Sequence, residues 1–492
     1  MTSIRACLVL ASLAAAGIAQ AQTSATAQTS APPVVITQGT ATKDDSSLTW
    51  NGITLYGIVD IGLQYQTHGA PISDYFPGGS ESVIQKNSNA SVTGLVPNNL
   101  SQSRIGLAGL EPIPGGDFAF VFRLETFFNP NSGNLSDGLK SLTLNNGKGL
   151  KEQSTGVDSS VAGQIFAGAA YAGLSSPKFG SLTFGRHVTP LADGISKYDP
   201  MGAAQAFSLL GFSGTTAGGG DTEDRRLDDS VKYTAKYGPV HVAALYQFNG
   251  SNGGANTAFQ GQLGFDFLGG GSVDAYYTKK KDAVASSSLS AAQVEGLAAK
   301  CNPPATIPPT VPAPAPQCYS VSNSLSGTIS DNDAYAIMAL YNFGKVKVFA
   351  GYEDIKFKNP DSPLPNGYIT IGGYQLAFLN QTAYTNNKTL KVYWAGGKYA
   401  LNDQLEFTLA YYGNEQDSFA PVSCSNASLA SCKGQLNVIS ALADYKFTKR
   451  FDAYLGTMWS EAKNGLANGY LLLGPSGTAS TITSTMGVRF KF

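Results

Sequence analysis

Histidine is almost missing from this chain: 492 residues hold three, His68, His187 and His241. Charge is thin as well, with 14% Asp, Glu, Lys and Arg against ~25% in a typical soluble domain. Past residue 21 no run of ~20 apolar residues occurs, which excludes a spanning helix in the mature chain. A formal net charge of −1 leaves no excess of base to hold a nucleic acid, and no nucleic-acid partner is expected. No G-x-S-x-G motif is present, and nothing in the sequence joins a histidine to a serine and an acid, as acyl transfer requires. No cofactor or metal is expected, because no histidine lies near the paired cysteines and their spacing fits no zinc site.

What is abundant points one way. Glycine reaches 56, tyrosine 24 and phenylalanine 25, yet mean hydropathy is −0.07. Low charge, many small and aromatic residues and neutral hydropathy suit a transmembrane barrel, apolar outside and polar within. The start explains how such a chain leaves the cytoplasm. Arg5, the apolar stretch Leu8 to Ile18 and Ala19-Gln20-Ala21 form a secretory signal peptide over 1–21. That stretch is too short for an uncleaved anchor. Residues 22–50, rich in Thr, Ala, Ser, Gln and Pro, are expected to be a flexible lead-in, and 51–492 the barrel. Cys7 leaves with the signal peptide. The other four cysteines fall as local pairs in loop-like sequence, so two disulfides are expected, Cys301–Cys318 and Cys424–Cys432.

Period-two alternation recurs in sixteen segments: 53–66, 102–111, 117–128, 163–175, 180–188, 229–237, 240–249, 258–268, 271–281, 333–343, 345–357, 388–400, 404–415, 435–447, 451–462 and 481–492. Their connections alternate between tight turns such as Gly238-Pro239 and long loops such as 189–228 and 282–332. The fold expected is all-β: a sixteen-stranded antiparallel transmembrane β-barrel with short periplasmic turns and long extracellular loops. A ring of that size leaves an aqueous lumen. Side chains alternate faces along a strand, so Ile53, Leu55 and Leu63 point to lipid while Tyr56, Asp60 and Gln64 point in. The last strand ends the chain on Phe490 and Phe492, outward, with Arg489 and Lys491 inward. Left unpaired it would expose a sheet edge, so it is expected to meet the first strand.

TLYGIVDIGL (54–63), SRIGLAGLE (103–111), FRLETFFN (122–129), FGSLTFGRHVTP (179–190), DDSVKYTAKY (228–237), ALYQF (244–248) and GVRFKF (487–492) together resemble, in order, the general Gram-negative porins of the Neisseria and Burkholderia type. The resemblance implies an outer-membrane homotrimer embedded in lipid and lipopolysaccharide. It implies a water-filled channel for passive diffusion of small hydrophilic solutes and ions, with the third long loop, about 189–228, folded inward as a constriction. It also implies that terminal Phe492, with Phe490, helps recognition by the outer-membrane assembly machinery. Two features depart from the family pattern. The chain is long, and the loop middle, 201–220, is small and apolar, with charge gathered in DTEDRRLDD (221–229).

Selectivity in a pore arises from charge across its narrow point. Parity places Arg104, Arg123 and Lys232 inward; Arg186 shares parity with Phe184 and needs a bulge at Gly185, or a position above the lipid band, to face the lumen. The loop offers Asp193, Asp199, Asp221, Glu223 and Asp224 as the facing acids. Tyr171, Phe179, Tyr399, Tyr445 and Phe447 fit an aromatic girdle near the short turns, and Tyr56, Tyr276 and Tyr393 are inward by parity. Two alternatives remain: a structural or adhesive barrel using 283–332 as an interaction module, and an outer-membrane hydrolase using His68 or His187 near the strand ends.

Overall fold

The structure, a computed structural model, describes residues 48–67, 91–149, 163–211, 225–248, 257–267, 269–301, 319–363, 368–426, 431–467 and 479–492. Within them one sheet contains β1 Thr49–Trp50, β2 Ile53–Gln66, β3 Val92–Pro97, β4 Arg104–Pro112, β5 Ala119–Phe127, β6 Ala169–Ser176, β7 Gly180–Val188, β8 Arg226–Tyr237, β9 Val240–Gln247 and β10 Ala258–Phe267. It continues with β11 Gly271–Ser287, β12 Ser324–Phe343, β13 Val346–Lys358, β14 Tyr368–Ile371, β15 Tyr374–Asn380, β16 Lys388–Ala400, β17 Leu405–Gln416, β18 Gly434–Lys446, β19 Phe451–Asn464 and β20 Ala479–Lys491. Sixteen of these close a ring. Strands β4 to β13 pair each with the next, β13 passes to β16, and β20 returns to β2. The sixteen-stranded antiparallel barrel expected from the alternation is the one observed, and β2, β7 and β16 have the predicted limits.

Closure satisfies the edge groups that a terminal strand would otherwise expose. Asp60 on β2 stands opposite Arg489 on β20, and Gly57 and Phe492 exchange backbone hydrogen bonds of 2.8 and 3.0 Å. The remaining strands decorate the ring. β1 and β3 pair with the two ends of β2, and β3 is separated from β4 by an inward excursion, residues 98–103. The β14–β15 hairpin sits beyond the rim, with β15 parallel to the upper part of β12. These pieces lie in segments whose sequence carries no long alternation, which is why periodicity did not show them. The paired Cys424 and Cys432 are disulfide-bonded. Cys318, and with it the expected Cys301 pairing, lies outside the described residues.

The outer face follows the parity expected: Leu63, Ile105, Phe120, Phe184, Leu409 and Phe490 are all exposed on it. Two tyrosines differ. Tyr171 was expected in the girdle but lies opposite Arg123 and Gly185 and stacks on the His187 ring at 4.8 Å, inside the barrel. Tyr393 was expected inward. It faces out beside Tyr411, because Val392 and Trp394 hold the inward positions of β16. The interior also differs from a wholly polar lumen. Met338, Ile355, Val392, Trp394, Leu436 and Val438 point in and are buried in one cluster with Leu191, Ile195, Met201, Phe207 and Leu210. The apolar middle of the third long loop thus has an apolar wall to lie on.

Candidate functional site

The third long loop begins with a capped helix. Thr189 precedes Pro190, its hydroxyl accepting from the Ala192 amide at 3.3 Å, and Pro190–Tyr198 form the helix. A threonine cap followed by proline at the first helical position starts a helix because both suit the unpaired N-terminal amides. Gly194 lets the helix rest on the wall: a Cβ there would meet the Tyr276 hydroxyl at 2.2 Å.

From there the chain runs along the interior. Tyr198 donates to Asp274 on β11, and its carbonyl accepts from Trp394 Nε1 on β16 at 3.1 Å. Asp199 closes the helix and accepts from the Tyr412 hydroxyl on β17 at 2.5 Å. Phe207 lies edge-on to Tyr454 on β19, and the Ala206 amide donates to the carbonyl of Asn99 in the 98–103 excursion at 3.0 Å. Burying each large apolar side chain is worth about 1.5–3 kcal/mol, so Ile195, Phe207 and Leu210, all fully buried, add apolar anchorage to these hydrogen bonds.

Opposite this apolar half lies a basic wall built by β4, β5, β7 and β8. Arg123 donates through Nε to the Tyr56 hydroxyl at 2.6 Å and through Nη2 to Glu125 at 2.6 Å; Tyr56 in turn donates to Glu125 at 3.0 Å. Arg104 Nη1 is 3.7 Å from the same carboxylate. Guanidinium stacking fixes the planes: Arg123 lies over Tyr56, and both Arg104 and Arg226 lie over the Phe127 ring. Arg186 reaches the interior because the register shifts between Gly185 and His187, with Gly185 at φ +132°, as its parity required. It pairs with Asp228 at 2.6 Å and donates to the Ala167 carbonyl at 3.0 Å. Lys232 meets Asp193 of the loop helix at 2.6 Å.

Arg104, Arg123, Arg186 and Lys232 are therefore gathered on one stretch of wall, β4 to β8, and Asp193 pairs with Lys232 there. Asp199 does something else. It is 2% exposed and accepts from Tyr412 and from the amides of Met201 and Ala203. Burial pushes its carboxyl pKa up, and the hydrogen bonds from Ser208 and Tyr412 pull against that rise. It anchors the loop to the far wall. Asp221, Glu223 and Asp224 lie outside the described residues, as does His68. Arg225 and Arg226 escaped the sequence reading because they sit in a run of mixed charge. Arg226 opens β8 within electrostatic reach of Arg104, Arg186 and Glu125, while Arg225 donates to the Leu210 carbonyl at 3.0 Å. The alternation of β8 is broken between Leu227 and Ser230, where Asp229 has φ +47°, so strand parity gave no signal for Arg226. Tyr56 and Tyr276 are inward, too far apart in the ring to form a track, and His187 is clasped between Thr183 and Ser230 at 2.9 and 2.8 Å.

A sequence-family description, Gram-negative porin, matches residues 6–465. Among solved structures, an anion-selective porin from Comamonas acidovorans is similar at 18% identity, covering 89% of this chain and 99% of that one with a TM-score of 0.55. A loop-deletion form of OmpT, an outer-membrane protein of Vibrio cholerae, is similar at 14% identity, with the same coverage of 89% and 99% and a TM-score of 0.51. No curated protein sequence matches the chain. At these identities the structures speak for the fold, whereas the family match spans nearly the whole chain. The chain belongs to the Gram-negative porin family and is an outer-membrane channel protein.

Proposed function

We propose that this porin is an anion-preferring diffusion channel for small hydrophilic solutes, narrowed where the loop from Pro190 to Gly211 faces the basic wall. One observation carries the reading. Among the described residues six cations, Arg104, Arg123, Arg186, Arg225, Arg226 and Lys232, cluster on one side of the barrel around the acids Glu125, Asp228 and Asp193. Positive excess at a narrow point favours anions, since low-dielectric walls strengthen each charge. The Comamonas structure is of an anion-selective porin, which agrees with the direction. A homotrimer is part of the proposal, in line with the trimer form known for the similar Vibrio OmpT. So are lipid and lipopolysaccharide around the barrel and handling by the assembly machinery through Phe490 and Phe492, both at the closing strand. The hydrolase alternative gains nothing from His187, which is 1% exposed and stacked on Tyr171.

The test is a planar-bilayer recording of purified protein under a potassium chloride gradient. A reversal potential on the anion side supports the proposal; a cation-side value overturns the preference, and silent membranes favour the adhesive alternative.

A further inference from the structure

The second long loop does not stay above its own strands. It leaves β5 at Phe127 and carries a helix, Gly138–Leu144, onto a tower formed where β11 and β12 rise past their neighbours. β10 pairs with β11 only as far as Lys280, and β13 with β12 only to Asp331, yet β11 and β12 stay paired to Ser287 and Ser326. β15 joins the tower alongside β12. Strands β5 and β11 are six places apart in a ring of sixteen, so a segment joining their tops is a chord over the mouth.

The docking is extensive. Leu139 and Leu142 are buried with Val284, Ile329 and Leu376 in a core separate from the one inside the barrel. Tyr374 donates to Asp137 Oδ2 at 2.9 Å, and Asn146 donates to the Val321 and Ser324 carbonyls at 2.7 and 2.8 Å while its Oδ1 accepts from the Leu289 amide at 2.7 Å. At its near end the segment is tied to the constriction. Ser136 accepts from Gln102 at 2.8 Å, and Gln102 accepts from Gln205 of the third loop at 2.9 Å.

From this geometry we infer that residues 129–147 form a strap across the long-loop mouth, a size filter in series with the inner constriction that excludes bulky neutral solutes arriving from outside. A strap of this kind sets which solutes are admitted by diameter, whereas the arginine wall sorts them by charge. The inference rests on the channel function and not on the anion preference.

The test uses the full-length porin in planar bilayers with neutral polyethylene glycols of graded size added to one side at a time. Leu139→Asp with Leu142→Asp places two charges in the tower core and should release the strap. Asn146→Ala removes only hydrogen bonds outside the barrel and serves if the double variant assembles poorly. Released channels should admit polymer of at least about twice the mass from the long-loop side, with the limit from the short-turn side unchanged, as a change in mouth diameter alone requires. An unchanged long-loop limit in channels of either variant that conduct would overturn the strap filter. The reversal potential, recorded in the same channels, bears on the anion preference alone, so the two proposals fail separately.

Discussion

Tyr412 and Asp199 join the third long loop to the far wall of the barrel: the phenol on β17 donates to Asp199 Oδ1 at 2.5 Å, and both residues are buried. A buried carboxylate that loses a donor retains its desolvation cost, about 1–3 kcal/mol. Tyr412→Phe should therefore shift the loop toward undocked states by that amount. Single-channel records should show added current noise at unchanged ion preference. A quiet trace would mean that the apolar contacts of Ile195, Phe207 and Leu210 suffice.

Arg123 and Glu125 should act with opposite signs. A unit charge ~8 Å from a passing ion is worth ~2 kcal/mol at an effective dielectric near 20, and salt screening removes part of this. Arg123→Ala should lower the ratio of anion to cation permeability about threefold, read from the reversal potential. Glu125→Gln should raise it, because Arg104 and Arg123 lose their shared counter-charge. The second variant should also unfold more readily, since breaking a buried pair costs about 3–5 kcal/mol. An unmoved reversal potential in both variants would place the pair away from the ion path.

Gly185 aims Arg186. A Cβ at this position would lie 2.2 Å from the Ala170 carbonyl, and its φ of +132° is one that side chains rarely adopt. Gly185→Ala should strain the bulge by about 1–3 kcal/mol and move Arg186 from Asp228. Its reversal potential should match that of Arg186→Ala; a wild-type value in folded protein would show that the bulge does not position the charge.

Phe492 completes the seam through two backbone hydrogen bonds with Gly57, and its ring lies over that glycine. Deleting it should lower the fraction of heat-modifiable barrel recovered from outer membranes before it alters conductance, and Phe490→Ala should do so more mildly. Normal recovery of the truncated chain would end the assembly-signal proposal.

Strand content, strand number and the faces of most strands were legible in the sequence, because a wall with lipid on one side and lumen on the other imposes a two-residue period that nothing else in the chain imitates. That period placed Arg104, Arg123 and Lys232 inward and located the bulge that Arg186 needed. It failed where neither face is lipid. β3, β14, β15 and the strap helix lie in excursions whose partners are distant in sequence, so no local pattern marks them. It failed also at Tyr393, where Val392 and Trp394 reverse the usual polarity because their inward side meets a loop and not water.

The sequence alone thus determined the barrel, its seam between the TLYGIVDIGL and GVRFKF strands, and the set of charges able to line it. Tertiary structure decided how those charges are used. Asp193 and Asp199, six residues apart on one loop, end on opposite sides of the lumen, one paired with Lys232 and the other fixed to Tyr412. Strand parity tells which way a side chain points; what it meets depends on where a loop finds apolar surface to bury, and that surface exists only once the ring has closed.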